Sequence, residues 1–463
     1  MADVNDPDTL LHGCLSRFCT QNPPVTSDTL NELGNFVDGW IRIHLQPLPH
    51  DTDFDVVSWL ETTSYPKYRR DELMRVHEDL GGSLPNTENE SHGKRETYLK
   101  YKPARGINSR DDQFKVFSGP IFKKIEDVLY HHPSFIKHIA EKNRPQYLVD
   151  LFEGCSGPFY QTDYSHFESH FVPKVMRALE LRLYKYMLVN FPTAYSVIEK
   201  ALSGVNVCNF AGFSIRIKGV RMSGDMCTSL GNGFSNLMLF NFVAWKKGGV
   251  CKGVVEGDDG LFVSSVPISV SDFADMGFAI KIEEYSDILR ASFCGMMMSS
   301  DLAHFADPRK TLLNFGWSHS PLMRSSDKVR LGLLRAKALS LLYENPRCPI
   351  LACLAKTYID LTDGISPVWC SNWYDNLLRD ETNKFSEWAM SEFAKGISNI
   401  ARSDFADIYD IDVEKQILIE AEISSWPLIG VVHSPLVDSL FGDEYSDCRD
   451  YFDRFVTEYG ASL

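Results

Sequence analysis

The segment Val254-Val255-Glu256-Gly257-Asp258-Asp259-Gly260-Leu261-Phe262-Val263 constrains this chain more than any other. Val250 to Val255 reads as a buried strand of β-branched residues, and Leu261 to Val263 as a second strand. Three acidic residues and two glycines lie between them. Glycine accepts positive φ, which suits a tight hairpin turn. One reading is ordinary Asp-Gly turn chemistry. The other starts from repulsion, because two carboxylates on a short rigid turn repel each other unless a cation lies between them.

A second acidic site lies 95 residues earlier, at Asp163. Pro158 to Glu168 begins as a strand rich in aromatic residues, with Asp163 at its C-terminal end. Phe171 to Tyr186 then reads as one helix, with Val172, Val175, Met176, Leu179 and Leu183 on a common face. A carboxylate at a strand end beside a carboxylate hairpin is what a two-metal site needs, and oxygen ligands suit Mg²⁺ or Mn²⁺. Two such ions, roughly 3.5–4 Å apart, activate an attacking hydroxyl and stabilise a leaving pyrophosphate. Phosphoryl transfer asks for little beyond this positioning and charge neutralisation. His166, Glu168 and His170 alternate at a spacing that does not match a helical zinc motif.

Between the acidic sites lies Arg221-Met222-Ser223-Gly224-Asp225-Met226-Cys227-Thr228-Ser229-Leu230-Gly231-Asn232, continuing to Asn236. Asp225 is a candidate cap for a helix running to about Trp245. Leu230, Phe234, Leu237, Met238 and Asn241 would lie along one side of it. Taken alone, Asn232 reads as a helix-surface amide; a buried amide there would offer both a donor and an acceptor.

Asp163 with Glu168, then Ser223-Gly224 with Thr228 and Asn232, then Gly257-Asp258-Asp259, is an order that resembles motifs A, B and C of viral RNA-dependent RNA polymerases. The form around Ser223 resembles the tombusvirus-like and flavivirus-like positive-strand groups. The resemblance runs over residues 94–300. It implies an α+β, right-hand fold with fingers, a palm of antiparallel sheet backed by helices, and a mainly helical thumb. The expected division is fingers at residues 1–150, palm at 151–176, a fingers insertion at 177–220, palm again at 221–300, and thumb with C-terminal region at 301–463.

The same resemblance assigns roles. Asp163 and Asp258 correspond to the metal-binding aspartates, with Asp259 in support, and the cofactor is two Mg²⁺ ions or Mn²⁺. Ser223 and Gly224 match a loop that moves during translocation, and Thr228 and Asn232 match positions that sense the ribose. Glu168 stands where these families usually carry Asp, so its longer side chain must reach Asn232 by another route. Residues 94–110 resemble motif F, whose cations meet the nucleotide triphosphate. Arg105 is the main expected contact, with Lys100, Lys102 and Arg110 beside it and Ile107 near the templating base pair. Phe278 to Ile282 resembles motif D, following a short helix from Ser271 to Gly277. Lys281 is there a candidate general acid, a role that a lysine fills when its pKa is lowered. It reads equally as an exposed strand lysine. Ala291 to Met296 resembles motif E.

Charge fits a localised channel. The net charge is −15, yet residues 94–124 hold 9 basic against 3 acidic residues, and residues 306–347 hold 8 against 3. Residues 404–463 hold 14 acidic and 3 basic residues. Two basic segments inside an acidic protein suggest a route for a polyanion. Asp327 to Tyr343 reads as an amphipathic thumb helix, with Leu331, Leu334, Ala338 and Leu341 on one face and Lys328 and Arg335 turned to RNA backbone. Trp426-Pro427 and Tyr445 are loop aromatics that would suit a platform for primer-free initiation.

At 463 residues the chain exceeds one ordinary core, so two or three subdomains are expected. It shows no spanning apolar run and no secretory signal. Its 11 cysteines form no Cys-x-x-Cys pair and read as free thiols in a reducing compartment. The expected partners are RNA template and product, nucleoside triphosphates and other viral replication proteins, in the host-cell cytoplasm at replication complexes. Three alternative readings are a reverse transcriptase, a polymerase-shaped RNA-binding scaffold without catalysis, and a metal nuclease. The motif B segment disfavours the first and third, and the intact carboxylates disfavour the scaffold.

Overall fold

The computed structural model describes residues 4, 6–94, 103–316, 325–369, 386–428 and 434–442. Eight strands of five or six residues carry its two larger sheets. In chain order they are β1 (Asn89–Gly93), β2 (Gly106–Arg110), β3 (Phe159–Tyr164), β4 (Val205–Phe210), β5 (Phe213–Lys218), β6 (Cys251–Glu256), β7 (Asp259–Ser264) and β8 (Ile280–Tyr285). The fold is α+β, and an antiparallel sheet of order β6-β7-β3-β8 lies at its centre. The other sheet has the order β2-β1-β4-β5 and is antiparallel except for a short parallel contact of β1 with β4.

Strand alternation divides the central sheet into two faces. Tyr160, Thr162 and Tyr164 of β3 and Phe262 of β7 point to the helix Thr228–Lys246. The rings of Phe240 and Phe262 stack there at 4.0 Å. On the opposite face lie Phe159, Gln161 and Asp163 of β3, with Asp259 on β7 and Lys281 on β8.

The Thr228–Lys246 helix is buried on all sides, with every residue from Leu230 to Phe240 inaccessible. The one-sided apolar face expected for it is therefore too narrow, because the helix is enclosed as a core element. Asp225 does not cap it either: Cys227 is the N-cap residue, and no side chain caps the helix.

The expected helix from Phe171 to Tyr186 is two helices, Pro173–Ala178 and Glu180–Met187. Proline at the first position fits the start of the first one. Leu179 breaks the run at φ −117°, ψ −109°, and Glu180 follows with its carboxylate 2.7 Å from Arg221. Residues 177–220 thus divide in their packing. Leu181, Leu183, Tyr184 and Met187 enter the central core, whereas β4 and β5 join β1 and β2. The short helix before β8 is Val270–Ala274, closed by a Ser269/Asp272 capping box.

A separate apolar core begins at Ala303 and runs to Leu440. Its longest helix, Asp327–Glu344, buries Leu333, Ala336 and Leu342 besides Ala338 and Leu341, while Leu331 and Leu334 stay half-exposed. Arg335 does not face outward to a nucleic acid. It donates to the carbonyls of Ile359 and Thr362, both at 2.8 Å, at the C-terminus of the helix Leu351–Leu361, where a cation matches the helix dipole. Lys328 is exposed. Trp426 packs against this second core instead of projecting from it, and the carbonyl of the exposed Pro427 accepts from Tyr358. Tyr445 lies outside the described residues. The nine described cysteines are free. Among the described residues no helix is long and apolar enough to cross a membrane.

Candidate active site

The acidic hairpin is tighter than its sequence suggests. β6 extends to Glu256 and β7 starts at Asp259, so the loop is only Gly257-Asp258. Gly257 has φ +64° and Asp258 does not have a positive φ, the pattern of a two-residue turn with glycine first. Gly260 is not part of the turn. A Cβ there would stand 2.6 Å from Thr162 Oγ1 and 2.9 Å from Asn236 Nδ2, so glycine is what lets β7 close on β3 and on the helix. The Asp-Gly turn reading is thereby replaced: the turn is Gly-Asp, and it presents Asp258 at its tip.

Asn236 fixes that tip. Its Nδ2 donates to the Asp258 carbonyl at 2.9 Å, and its Oδ1 accepts from Tyr164 at 3.3 Å and Thr162 at 3.5 Å. Asn236 is fully buried. It had no assigned role in the sequence, although its place one helical turn after Asn232 puts both amides on one side of the helix.

Asp163, Asp258 and Asp259 converge at this end of the sheet. Thr162 pairs with Gly260, which brings the next residue of β3 beside the start of β7. Burial by surrounding groups pushes the Asp258 carboxyl above its ordinary value, and the charges of Glu168 and Asp163 push the same way, while Arg105 opposes them. Asp259 is pushed up to about 6 by burial, then by Asp258, Asp163 and Glu256. Solvent reaches both residues and screens part of the repulsion. Among the described residues no three His, Cys, Asp or Glu side chains form a ready-made metal cage. The donor set nevertheless fits hard divalent cations: it is all carboxylate oxygen, and its negative charges repel one another. Glu256 is not free for such an ion, since Arg144 holds it at 2.7 Å. The motif E turn reaches this site, with Cys294 Sγ 3.6 Å from Glu256.

The second group of charges is internal. Asn232 accepts from Arg221 and donates to Glu168 Oε1 at 3.4 Å, so the longer acid does reach the amide. Arg221 is buried against Glu180, Ser235 and the Phe171 ring. Ser223 Oγ donates to the Gly106 carbonyl at 2.9 Å. Gly224 sits so close to β2 that a Cβ would be 2.7 Å from Asn108 O. Thr228 Oγ1 lies 2.8 Å from the Met222 carbonyl and 2.9 Å from that of Asp225, so the hydroxyl is engaged with its own loop.

Arg110 is a correction. It was expected beside the triphosphate, but its guanidinium is 3% exposed and grips Asp225 through Nε at 2.6 Å and Nη2 at 3.2 Å. The other contacts go to Asn206 and the Thr87 carbonyl. A guanidinium committed to a buried carboxylate has no face to offer a phosphate. Lys281 fits the second of its two readings, an exposed strand lysine. It pairs with Asp163 across the ladder and is exposed, and its contact with Glu283, aided by Asp163, raises its pKa where an acid catalyst would want it lowered. Arg105 is half-buried within electrostatic reach of Asp258, and Ile107 is half-buried on β2 opposite His92. Lys100 and Lys102 lie outside the described residues.

Residues 98–429 match the family of viral RNA dependent RNA polymerases. The chain belongs to that family. The protein is accordingly an RNA-directed RNA polymerase, a nucleotidyltransferase that binds RNA and nucleoside triphosphates, and its family uses divalent metal ions. The match reaches well beyond residue 300, where the motif resemblance stopped, so the polymerase family extends into the second core. Among curated proteins no relative of the polymerase is found.

Proposed function

We propose that the polymerase copies a viral RNA genome by two-metal nucleotidyl transfer at the Asp163–Asp258–Asp259 cluster. The observation that carries this reading is one sheet end that gathers repelling carboxylates next to the half-buried contact of Glu168 with the buried Asn232 amide. The RNA 3′-oxygen bonds to the α-phosphorus of the incoming nucleotide, the α–β phosphoanhydride breaks, and pyrophosphate leaves. When bound, two divalent ions supply activation of that hydroxyl and charge stabilisation of the leaving group. Asp163 and Asp258 would hold them, with Asp259 in support. Arg105 would meet the triphosphate, and Asn232 would read the ribose 2′-hydroxyl.

In this reading residues 1–150 and 177–220 act as fingers, 151–176 and 221–300 as palm, and 301–463 as thumb with C-terminal region. The separate core that starts at Ala303 supports the last boundary. Replication complexes in the host cytoplasm, with other viral proteins, belong to the same proposal. The decisive experiment incubates the purified chain with unprimed or primed RNA, labelled nucleotides and Mg²⁺ or Mn²⁺. Template-length product that disappears in Asp258→Ala supports the reading. Equal product from the variant overturns it.

A further inference from the structure

The helix Pro7–Phe18 lies outside the residues that match the polymerase family, yet it packs against the parts just described. Asp6 caps it by accepting from the Thr9 amide at 2.9 Å. Leu10 and Cys14 are buried with Cys208, Phe210, Val220 and Met222, immediately before the Ser223–Gly224 loop. Gly13 is where the helix meets the chain leading into β2: a Cβ there would stand 2.0 Å from the Ala104 carbonyl oxygen. These contacts leave the last turn of the helix little freedom, and that turn carries Arg17.

Arg17 Nη1 lies 3.9 Å from Glu168 Oε2, while the other oxygen of Glu168 receives Asn232 at 3.4 Å. The carboxylate is therefore held between two partners, one on each oxygen. Arg17, Glu168, Arg221 and Ser223 line one common pocket with Cys14 and Phe18 of the same helix. The chain beyond the helix braces the same turn from its other end. Asn22 Nδ2 donates to the Ser169 carbonyl at 2.9 Å, and Ser169 Oγ lies 3.4 Å from Asn22 Oδ1. Lys174, just after this turn, donates to the Val25 carbonyl at 3.3 Å.

We propose that Arg17 is a positioning residue for ribose selection: it holds the Glu168 carboxylate in the orientation that presents Asn232 to the nucleotide. The proposal rests on the ribose-reading role given above to Glu168 and Asn232. It gives the longer acid of this chain a physical counterpart. A glutamate has one more rotatable bond than an aspartate. A cation fixed by a braced helix removes the freedom that this bond adds. Arg17 acts through Glu168, so its effect falls on discrimination and not on the chemical step.

The test compares kcat/KM for a ribonucleotide and for its deoxy counterpart at one templated position, in wild type, Arg17→Met, Arg17→Gln, Arg17→Lys, Glu168→Gln and the double variant Arg17→Met/Glu168→Gln. A half-exposed ion pair is worth little, so Arg17→Met is expected to lower ribo-over-deoxy discrimination about twofold to fivefold. The loss should appear in KM for the ribonucleotide with kcat kept. Arg17→Lys should restore most of it, and the double variant should lose no more than Glu168→Gln alone. Thermal melting identifies any variant that fails to fold, and Arg17→Gln then carries the test. Unchanged discrimination in folded Arg17 variants, with a changed ratio in Glu168→Gln, overturns the role of Arg17 alone. An unchanged ratio in every variant overturns the ribose-reading role beneath it.

Discussion

Two charged regions of the molecule are built on opposite principles. At the hairpin tip Asp163, Asp258 and Asp259 are accessible and repel one another, and burial pushes Asp258 and Asp259 up from their ordinary values. Beneath the motif B loop Arg110 with Asp225 and Arg221 with Glu180 are 1–3% exposed and matched partner to partner. Isolated charge in a low-dielectric interior costs far more than a surface charge, so buried ions persist only when paired. Among the described residues no ion pair holds the hairpin-tip aspartates; Arg105 and Lys281 act on them only through their charge. In the proposed function that repulsion is what bound divalent ions would relieve, whereas the matched pairs balance their own charge.

The contrast predicts opposite mutational signs. In the proposed function Asp258→Ala would remove a metal ligand and a repulsion together. It should cut nucleotide incorporation at least about a thousandfold, because several kcal/mol of transition-state charge stabilisation go with it. Without added metal its melting temperature should equal or exceed that of wild type. Activity and thermal melting measured on the same preparation check this. A variant that melts well below wild type would mean that Asp258 supports the fold and would break the comparison.

Arg110→Met should do the reverse. It strands Asp225 as an unpaired buried carboxylate, at a cost of about 3–5 kcal/mol. Urea unfolding measures this. Breaking the pair from the other side, as Asp225→Asn, should hurt less, since a neutral amide still accepts from the guanidinium. Destabilisation below about 1 kcal/mol in Arg110→Met would show that solvent reaches the pair and that Arg110 is free for substrate after all.

Sequence reading succeeded where chemistry was concentrated in short motifs. The strand end at Asp163, the acidic hairpin and the α+β class were all legible, because local propensity and turn residues point the same way there. It failed where the deciding fact was a partner far along the chain. Nothing near Arg110 announces Asp225, 115 residues on, and a basic residue in a basic segment reads as a phosphate contact. The Thr228–Lys246 helix was misread for a related reason. Its apolar residues were placed along one side only, yet Ser235 and Asn236 are buried as well as Asn232, each against a specific partner. Arg335 was assigned to RNA from its helical position, and the helix end it caps is supplied by another element.

Asn236 stands between the two regions, since it is buried like the matched charges but serves the exposed tip. Asn236→Leu should cost about 1–3 kcal/mol, because the Asp258 carbonyl and the Tyr164 hydroxyl lose their partner. It should lower kcat more than it changes nucleotide KM, since the tip shifts but Arg105 and Asn232 stay. Urea unfolding and steady-state kinetics separate the two effects. A pure stability loss with normal kcat would mean that the turn holds its shape without the helix.

Lys281 gives the smallest expected effect and the sharpest edge to the comparison. It is a cation facing Asp163 across the ladder, so it belongs spatially to the unmatched region. Its charge is nevertheless already answered by Glu283, and both that contact and Asp163 hold its pKa above the ordinary lysine value. A raised pKa keeps the proton on through neutral pH and disfavours handing it to a departing pyrophosphate. A general acid contributes about a hundredfold or more to its step. We therefore expect Lys281→Met to lower kcat by less than about tenfold, with the pH–rate profile unshifted on its alkaline side. A loss of a hundredfold with a displaced alkaline limb would place Lys281 among the groups that act on substrate. The bound nucleotide would then have to draw it away from Glu283 before the proton could move.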